Sequence, residues 1–252
     1  MARIIAIAIP KGGVGKTTTA VNLAVALPGN ILLLDFDPQG NASTSLGVTA
    51  PKSTIYDIIT GEKDFDHTVI RTEYCDVIPS NETLNELDML IVENRDTFKN
   101  PGHVLKNVIS SVLDDYDYII IDTPPAKNLI TINALAASTD VIIPLQCEYL
   151  ATKGVNEILI TIEKVRGKYN KDLNILGILP TMFDVRTNLS TIVLQDARKH
   201  FYGSGIKVFD TTINRSIRFA EAPSHGIPAI FLYPENEAVQ AYRRLAKEII
   251  NG

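Results

Sequence analysis

The stretch Pro10-Lys11-Gly12-Gly13-Val14-Gly15-Lys16-Thr17-Thr18 decides the fold of this 252-residue chain. Residues 3–9 ahead of it form a β-rich apolar run without polar alternation, as a central parallel strand buried on both faces requires. Residues 16–27 behind it read as a helix. A glycine-rich loop between a strand and a helix is a phosphate cradle. Gly12, Gly13 and Gly15 permit backbone angles and close approach that a Cβ would block, so the N–H groups of the loop, through Val14 to Thr18, can wrap a phosphate chain at the helix N-terminus. Lys16 would then reach the β- and γ-phosphates, and the Thr17 hydroxyl would ligate Mg²⁺. The general pattern G-x-x-x-x-G-K-[ST] wants glycine at position 10, where this chain has proline. What remains is the narrower variant K-G-G-x-G-K-[ST]-T, marked by the second lysine, Lys11.

Phosphoryl transfer also needs a metal ligand and a positioned water. Residues 31–34 form an apolar strand ending in Asp35-Phe36-Asp37-Pro38-Gln39-Gly40-Asn41, and residues 118–121 form another ending in Asp122-Thr123-Pro124-Pro125. Both place carboxylates at the C-terminal end of a strand, where open α/β sheets put their ligands. An Asp there can hold Mg²⁺ through water. Strand patterns recur at 75–79, 141–145, 173–179 and 206–209, and helical ones at 83–92, 103–113, 130–137, 151–169, 189–201 and 238–250. This alternation predicts one α/β domain over residues 1–252, a doubly wound, mostly parallel sheet with helices on both faces. Residues 37–72 have a weaker pattern, with a short helix expected over 53–59 and Ser53 as its cap. That segment reads either as a nucleotide-sensitive switch or as an ordinary connection.

With 45% apolar content, a chain of this length buries about three quarters of its unfolded surface. The N-terminus runs straight into the first strand, and no apolar run approaches about 18 residues, which predicts a soluble protein without signal peptide or membrane span. Cys75 and Cys147 offer neither a disulfide framework nor a metal-ligand spacing, as expected for a reduced cytoplasm. The net charge of −5 is unevenly spread. Residues 1–150 hold 10 Lys/Arg against 19 Asp/Glu, whereas residues 151–252 hold 14 against 10. The basic half predicts a face for polyanions, with Arg186, Arg215 and Arg218 as its candidates. Lys164, Arg166, Lys168 and Lys171 read instead as a solvated helix end favoured by the macrodipole.

Taken together, the segments resemble the ParA/Soj group of deviant-Walker ATPases, which partition chromosomes and plasmids. The resemblance spans nearly the whole chain. Besides the loop and the two Asp-ended strands, it runs through Leu129-Ile-Thr-Ile-Asn-Ala-Leu135, Pro144-Leu-Gln-Cys-Glu-Tyr149, Arg186-Thr-Asn-Leu189 and Glu221-Ala-Pro-Ser-His-Gly226. It implies ATP and Mg²⁺ as cofactors, with Asp35 and Asp122 supporting the metal and Asp37 polarising the attacking water. It further implies that Lys11 reaches across an ATP-bound homodimer to the partner's phosphates. Charge agrees independently: Lys16 already supplies a cation in cis, so a second buried cation is costly unless it meets more negative charge. The resemblance also implies non-specific binding of double-stranded DNA through Arg186 and Arg215, with Arg218 added on charge. A ParB-type centromere-binding partner and a cytoplasmic location, nucleoid-associated with ATP, are implied as well.

Departures from the family pattern are specific. Where relatives usually carry Pro-Arg-Asn in the segment that contacts adenine, this chain has Asn214-Arg215-Ser216. Pro10 removes a backbone donor and fixes φ at about −65° ahead of Lys11. Two alternative readings stay open. A MinD-like ATPase would carry a membrane-binding amphipathic helix at its C-terminus, and a cargo-positioning scaffold would act through protein contacts without DNA. Against the first, Val239, Tyr242, Leu245, Ala246 and Ile249 form a stripe expected to pack on the core.

Overall fold

The computed structural model describes residues 1–148 and 151–252. Tyr149, part of one resemblance segment, lies outside the described residues. The strands β1 (Arg3–Ile7), β2 (Ile31–Asp35), β3 (Ile70–Arg71), β4 (Asp76–Ile78), β5 (Tyr118–Asp122), β6 (Asp140–Gln146) and β7 (Asn174–Thr181) form one sheet in the order β3-β4-β2-β5-β1-β6-β7. Each neighbouring pair is parallel but β3–β4, which is antiparallel. Successive side chains of a strand point to opposite faces. Ile4, Ala6, Leu32, Leu34, Ile119 and Ile121 therefore enter one core, and Ile5, Ile7, Leu33 and Ile120 the other.

Helices cover both faces, as the expected doubly wound sheet demands. On the second face lie α1 (Lys16–Ala24) and the short α2 (Asn41–Thr44). The first face takes α3 (Ile55–Thr60), α5 (Leu87–Glu93), α6 (Val104–Ile109), α7 (Leu129–Ala137), α8 (Ala151–Lys168) and α9 (Asn188–Tyr202), with α4 (Phe65–Thr68) following α3. The chain then returns to the second face through α10 (Arg218–His225), α11 (Ala229–Leu232) and α12 (Glu237–Ile250). Val239, Tyr242, Leu245, Ala246 and Ile249 of α12 are all at most 2% exposed. Burial of the larger aliphatics among them stabilises the fold by roughly 1.5–3 kcal/mol each, so this face is core and not free to meet a membrane. Among the described residues no helix is long and apolar enough to cross one.

The structure departs from several sequence expectations. Residues 206–209 form no strand; Val208 makes a single bridge to Ile178, and Phe209 turns inward where a Cβ on Gly177 would come within 2.8 Å of its ring. The helix expected over 53–59 begins at Ile55, because Asp57 accepts both the N–H (2.6 Å) and the hydroxyl (2.9 Å) of Thr54. The Ser53 hydroxyl donates instead to the His67 carbonyl. The pattern over 83–92 splits into a 3₁₀ turn, Glu82–Glu86, and α5. Neither β3 nor α10, which contains Pro223, was signalled by periodicity.

Candidate active site

The glycine-rich loop joins β1 to α1 at the C-terminal edge of the sheet. Gly13 and Gly15 have φ of 69° and 87°, a region that costs a side chain strain, whereas Gly12 does not. Val14 plugs the loop into the core, and its carbonyl accepts the Thr181 hydroxyl from the end of β7 at 2.9 Å. Lys16 is 6% exposed and folds across the loop to donate to the Lys11 carbonyl at 3.0 Å. Burial lowers its pKa, against the opposing pull of Asp122 and Asp37. Lys11 is half-buried as a residue, and its ammonium forms no ion pair or hydrogen bond among the described residues. Its side chain leaves the loop beside the first turn of α8, where a Cβ on Gly154 would lie 3.9 Å from the Lys11 Cβ.

Two carboxylates stand side by side beneath this loop. Asp35 and Asp122 end the paired strands β2 and β5 in direct register, and both are fully buried. Burial, reinforced by the charge of Asp35, raises the Asp122 pKa well above the usual carboxylate range. Neither Asp122 oxygen has a hydrogen-bond partner, although the Thr17 hydroxyl approaches without reaching ordinary bonding geometry. An orphaned carboxylate beside a hydroxyl at a phosphate cradle suits a hard divalent cation, so Thr17 and Asp122 fit Mg²⁺. Asp35 is committed elsewhere. It accepts the N–H and hydroxyl of Ser43 at 2.8 and 2.7 Å and the Asp37 N–H at 3.3 Å. Burial outweighs these bonds and raises its pKa to about 6. Asp37, 7% exposed, receives the Gln39 N–H at 3.0 Å.

Beside the loop opens a cavity of about 460 Å³, walled by Gly15, Thr18, Met182, Ile213 and Phe219, with Asn214 and Ser216 on its rim loop. Its apolar walls and position suit a planar base attached to phosphates on the loop. Met182, with φ of 49°, is the one non-glycine residue with positive φ among the described residues. Nothing in its sequence neighbourhood announces that conformation. A larger cavity, about 510 Å³, lies at the opposite edge of the sheet. Its lining of Asp66, Glu73, Asp76 and Asp115 would repel phosphate.

Of the three candidate arginines, Arg215 itself lines the cavity beside the loop, while Arg186 and Arg218 stand outside its lining. A bridge between Phe183 and Asn214 brings the Arg186 and Arg215 segments together, and both guanidinium groups act on Asp184. Arg186 makes a bidentate pair with Asp184 at 2.9 and 2.7 Å. That pairing holds the Asp184 carboxyl at about 2. Arg215 lies 3.6 Å from Glu148. Arg218, at the start of α10, bonds Glu221 at 2.7 Å and covers the Tyr233 ring, and its side chain is the least exposed of the three.

Comparison with known proteins identifies the family. The model of an AAA domain family matches residues 2–175. The chain is 43% identical over 258 aligned residues to the sporulation initiation inhibitor protein Soj of Bacillus subtilis, covering 99% of this chain and 98% of that protein. It is 41% identical to the chromosome partitioning protein ParA of Caulobacter vibrioides, with 99% and 94% coverage. Its structure superposes on the crystal structure of cobyrinic acid a,c-diamide synthase from Mycobacterium smegmatis with bound ADP and magnesium, at a TM-score of 0.86 and 32% identity, covering 100% and 95% of the two chains. The phosphate loop, the paired strand-end carboxylates and nearly full-length identity to partitioning proteins lead to one assignment: the chain belongs to the ParA/Soj family of P-loop partitioning ATPases.

Proposed function

We propose that this protein is a Mg²⁺-dependent ATPase that dimerises on ATP, binds double-stranded DNA without sequence preference and is stimulated by a ParB-type centromere-binding partner. The carrying observation is the pair of loop lysines: Lys16 is buried against its own loop, while Lys11 has no anionic partner among the described residues. Thr17 and Asp122 would hold Mg²⁺, which would supply positive charge against the phosphates. The backbone from Gly12 to Thr18 cradles the phosphates, with Lys16 on the β- and γ-oxygens. Asp37 orients the attacking water, and Lys11 of a second copy meets charge developing on the γ-phosphate, as an arginine finger does. Hydrolysis then depends on dimerisation. Asn214 and Ser216 line the base cavity, and the apolar walls supply most of the contact.

DNA would lie along Arg186, Arg215 and Arg218. One observation favours a second reading, a cargo-positioning ATPase without DNA binding: each arginine is already paired with a carboxylate. These pairs are exposed, however, and exposed pairs contribute little, so a polyphosphate backbone competes for the same guanidinium groups. Retention of random-sequence DNA with ATP, ADP or no nucleotide across a salt series separates the readings. ATP-dependent, salt-sensitive retention supports partitioning, and no retention even at low salt leaves the cargo-positioning reading. The protein on this account is cytoplasmic and moves onto the nucleoid when ATP-bound.

A further inference from the structure

Asp35 and Asp122 occupy equivalent places on adjacent strands, yet their surroundings differ completely. Asp122 has two orphaned oxygens, whereas Asp35 receives three hydrogen bonds, two of them from Ser43. Ser43 is 1% exposed and is the third residue of α2. That helix starts at Gly40 without a side-chain cap, leaving early N–H groups in need of an acceptor. Asp35 supplies it from the end of β2, and so closes residues 35–43 into a ring.

Asp37 sits inside this ring. Its N–H is held by Asp35, its carbonyl accepts the Gly40 N–H at 2.9 Å, and its carboxylate accepts the Gln39 N–H. Gly40 has φ of 63° and presses against β4's exit, where a Cβ would come within 2.9 Å of the Ser80 carbonyl. The loop is therefore fixed from two sides, and Ser43 is the only side chain of α2 that joins the helix to Asp35.

We propose that Ser43, acting through Asp35, is a positioning residue that sets Asp37 for hydrolysis, and that of the two buried strand-end carboxylates only Asp122 turns to the cation. The inference rests on the ATPase reading above and narrows it. A carboxylate offers about four acceptor sites, and three on Asp35 are taken by short or charge-assisted bonds. Both Ser43 bonds fall on Oδ2, so swinging that oxygen to the cation would break them and release α2, and moving Oδ1 would free the Asp37 N–H.

The test compares Ser43→Ala, Ser43→Thr and wild type, each checked for folding by circular dichroism. Ser43→Ala should lower kcat about tenfold, since slight displacement of an orienting group is costly, while KM for ATP and half-saturating Mg²⁺ stay within about twofold. Ser43→Thr keeps the hydroxyl and should recover most of the rate. Unchanged kcat in Ser43→Ala, equal loss in Ser43→Thr, or half-saturating Mg²⁺ raised about fivefold overturns the proposal. A second measurement needs no variant. In wild type, the Ser43 amide should remain protected from hydrogen exchange when Mg²⁺ and ATP are added, and loss of that protection also overturns the clamp. Absence of wild-type turnover counts against the ATPase reading itself, and the amide measurement still decides the clamp.

Discussion

The phosphate-loop region and the arginine face are built on opposite physical terms. In the first, the acting groups are buried and fixed by backbone geometry: Lys16 across its loop, Asp35 under Ser43, Asp122 between strands. In the second, the acting groups are exposed, long and flexible, each balanced by a nearby carboxylate. A buried charge cannot be compensated by solvent, so residues around the loop are specified one by one. An exposed guanidinium can trade one acid for another or for a phosphate, so many sequences can form such a face. The loop region should therefore respond to substitution sharply and specifically, and the arginine face gradually and in proportion to charge.

The largest expected effect tests the loop. Lys11→Ala should keep ATP binding, since Lys16 supplies the cis cation, yet lose partner-stimulated turnover by roughly 10³-fold, the lower range for a basic group supplied in trans. Stimulated turnover at the wild-type level, measured by phosphate release, would remove the trans role. Next comes the arginine face. Arg215→Glu should lower DNA affinity by about tenfold or more at low salt and flatten the salt dependence, with nucleotide binding measured in parallel because Arg215 also lines the base cavity. Normal DNA retention would exclude the face.

A smaller effect concerns the buried acid. Asp122 has a raised pKa when folded, so the folded state holds its proton more tightly than the unfolded chain. Its contribution to stability is full below the unfolded carboxylate value and is lost as pH rises through the folded one. In magnesium-free buffer, the Tm of Asp122→Asn relative to wild type should therefore climb by a few degrees, about 3–5 °C, between pH 5 and pH 8. A flat difference would mean that the carboxylate is solvated or paired. The smallest expected change is in Arg218→Ala, because Glu221 and Tyr233 already hold that side chain. DNA affinity should fall by about twofold or less, and a loss matching Arg215→Ala would show that the three arginines act as one patch.

Legibility followed the same division. Residues 3–9, the glycine loop and the Asp-ended strands were readable because a two-face-buried strand admits only apolar residues and a left-handed turn favours glycine. The C-terminal stripe was readable as an amphipathic helix from its 3.6-residue period, and its burial in the fold shows that the core takes it. By contrast, residues 206–209 have strand composition but only one bridging partner. Ser53 and Thr54 are both good caps, and the choice between them fell to Asp57 and the His67 carbonyl.

By itself, the sequence determined the doubly wound sheet, the phosphate loop with its second lysine, and the presence of acids at two strand ends, because each is set by local periodicity or backbone conformation. Tertiary structure alone decided how the surroundings of those acids differ. Asp35 and Asp122 follow similar apolar runs, and the return of Ser43 from α2 gives one its two shortest hydrogen bonds while the other has no partner among the described residues. It also decided the walls of the base cavity, where Gly15, Met182, Ile213 and Phe219 meet from distant parts of the chain. Hydrogen bonds and cavities belong to pairs of residues far apart in sequence, and their partners are chosen only when the chain has folded.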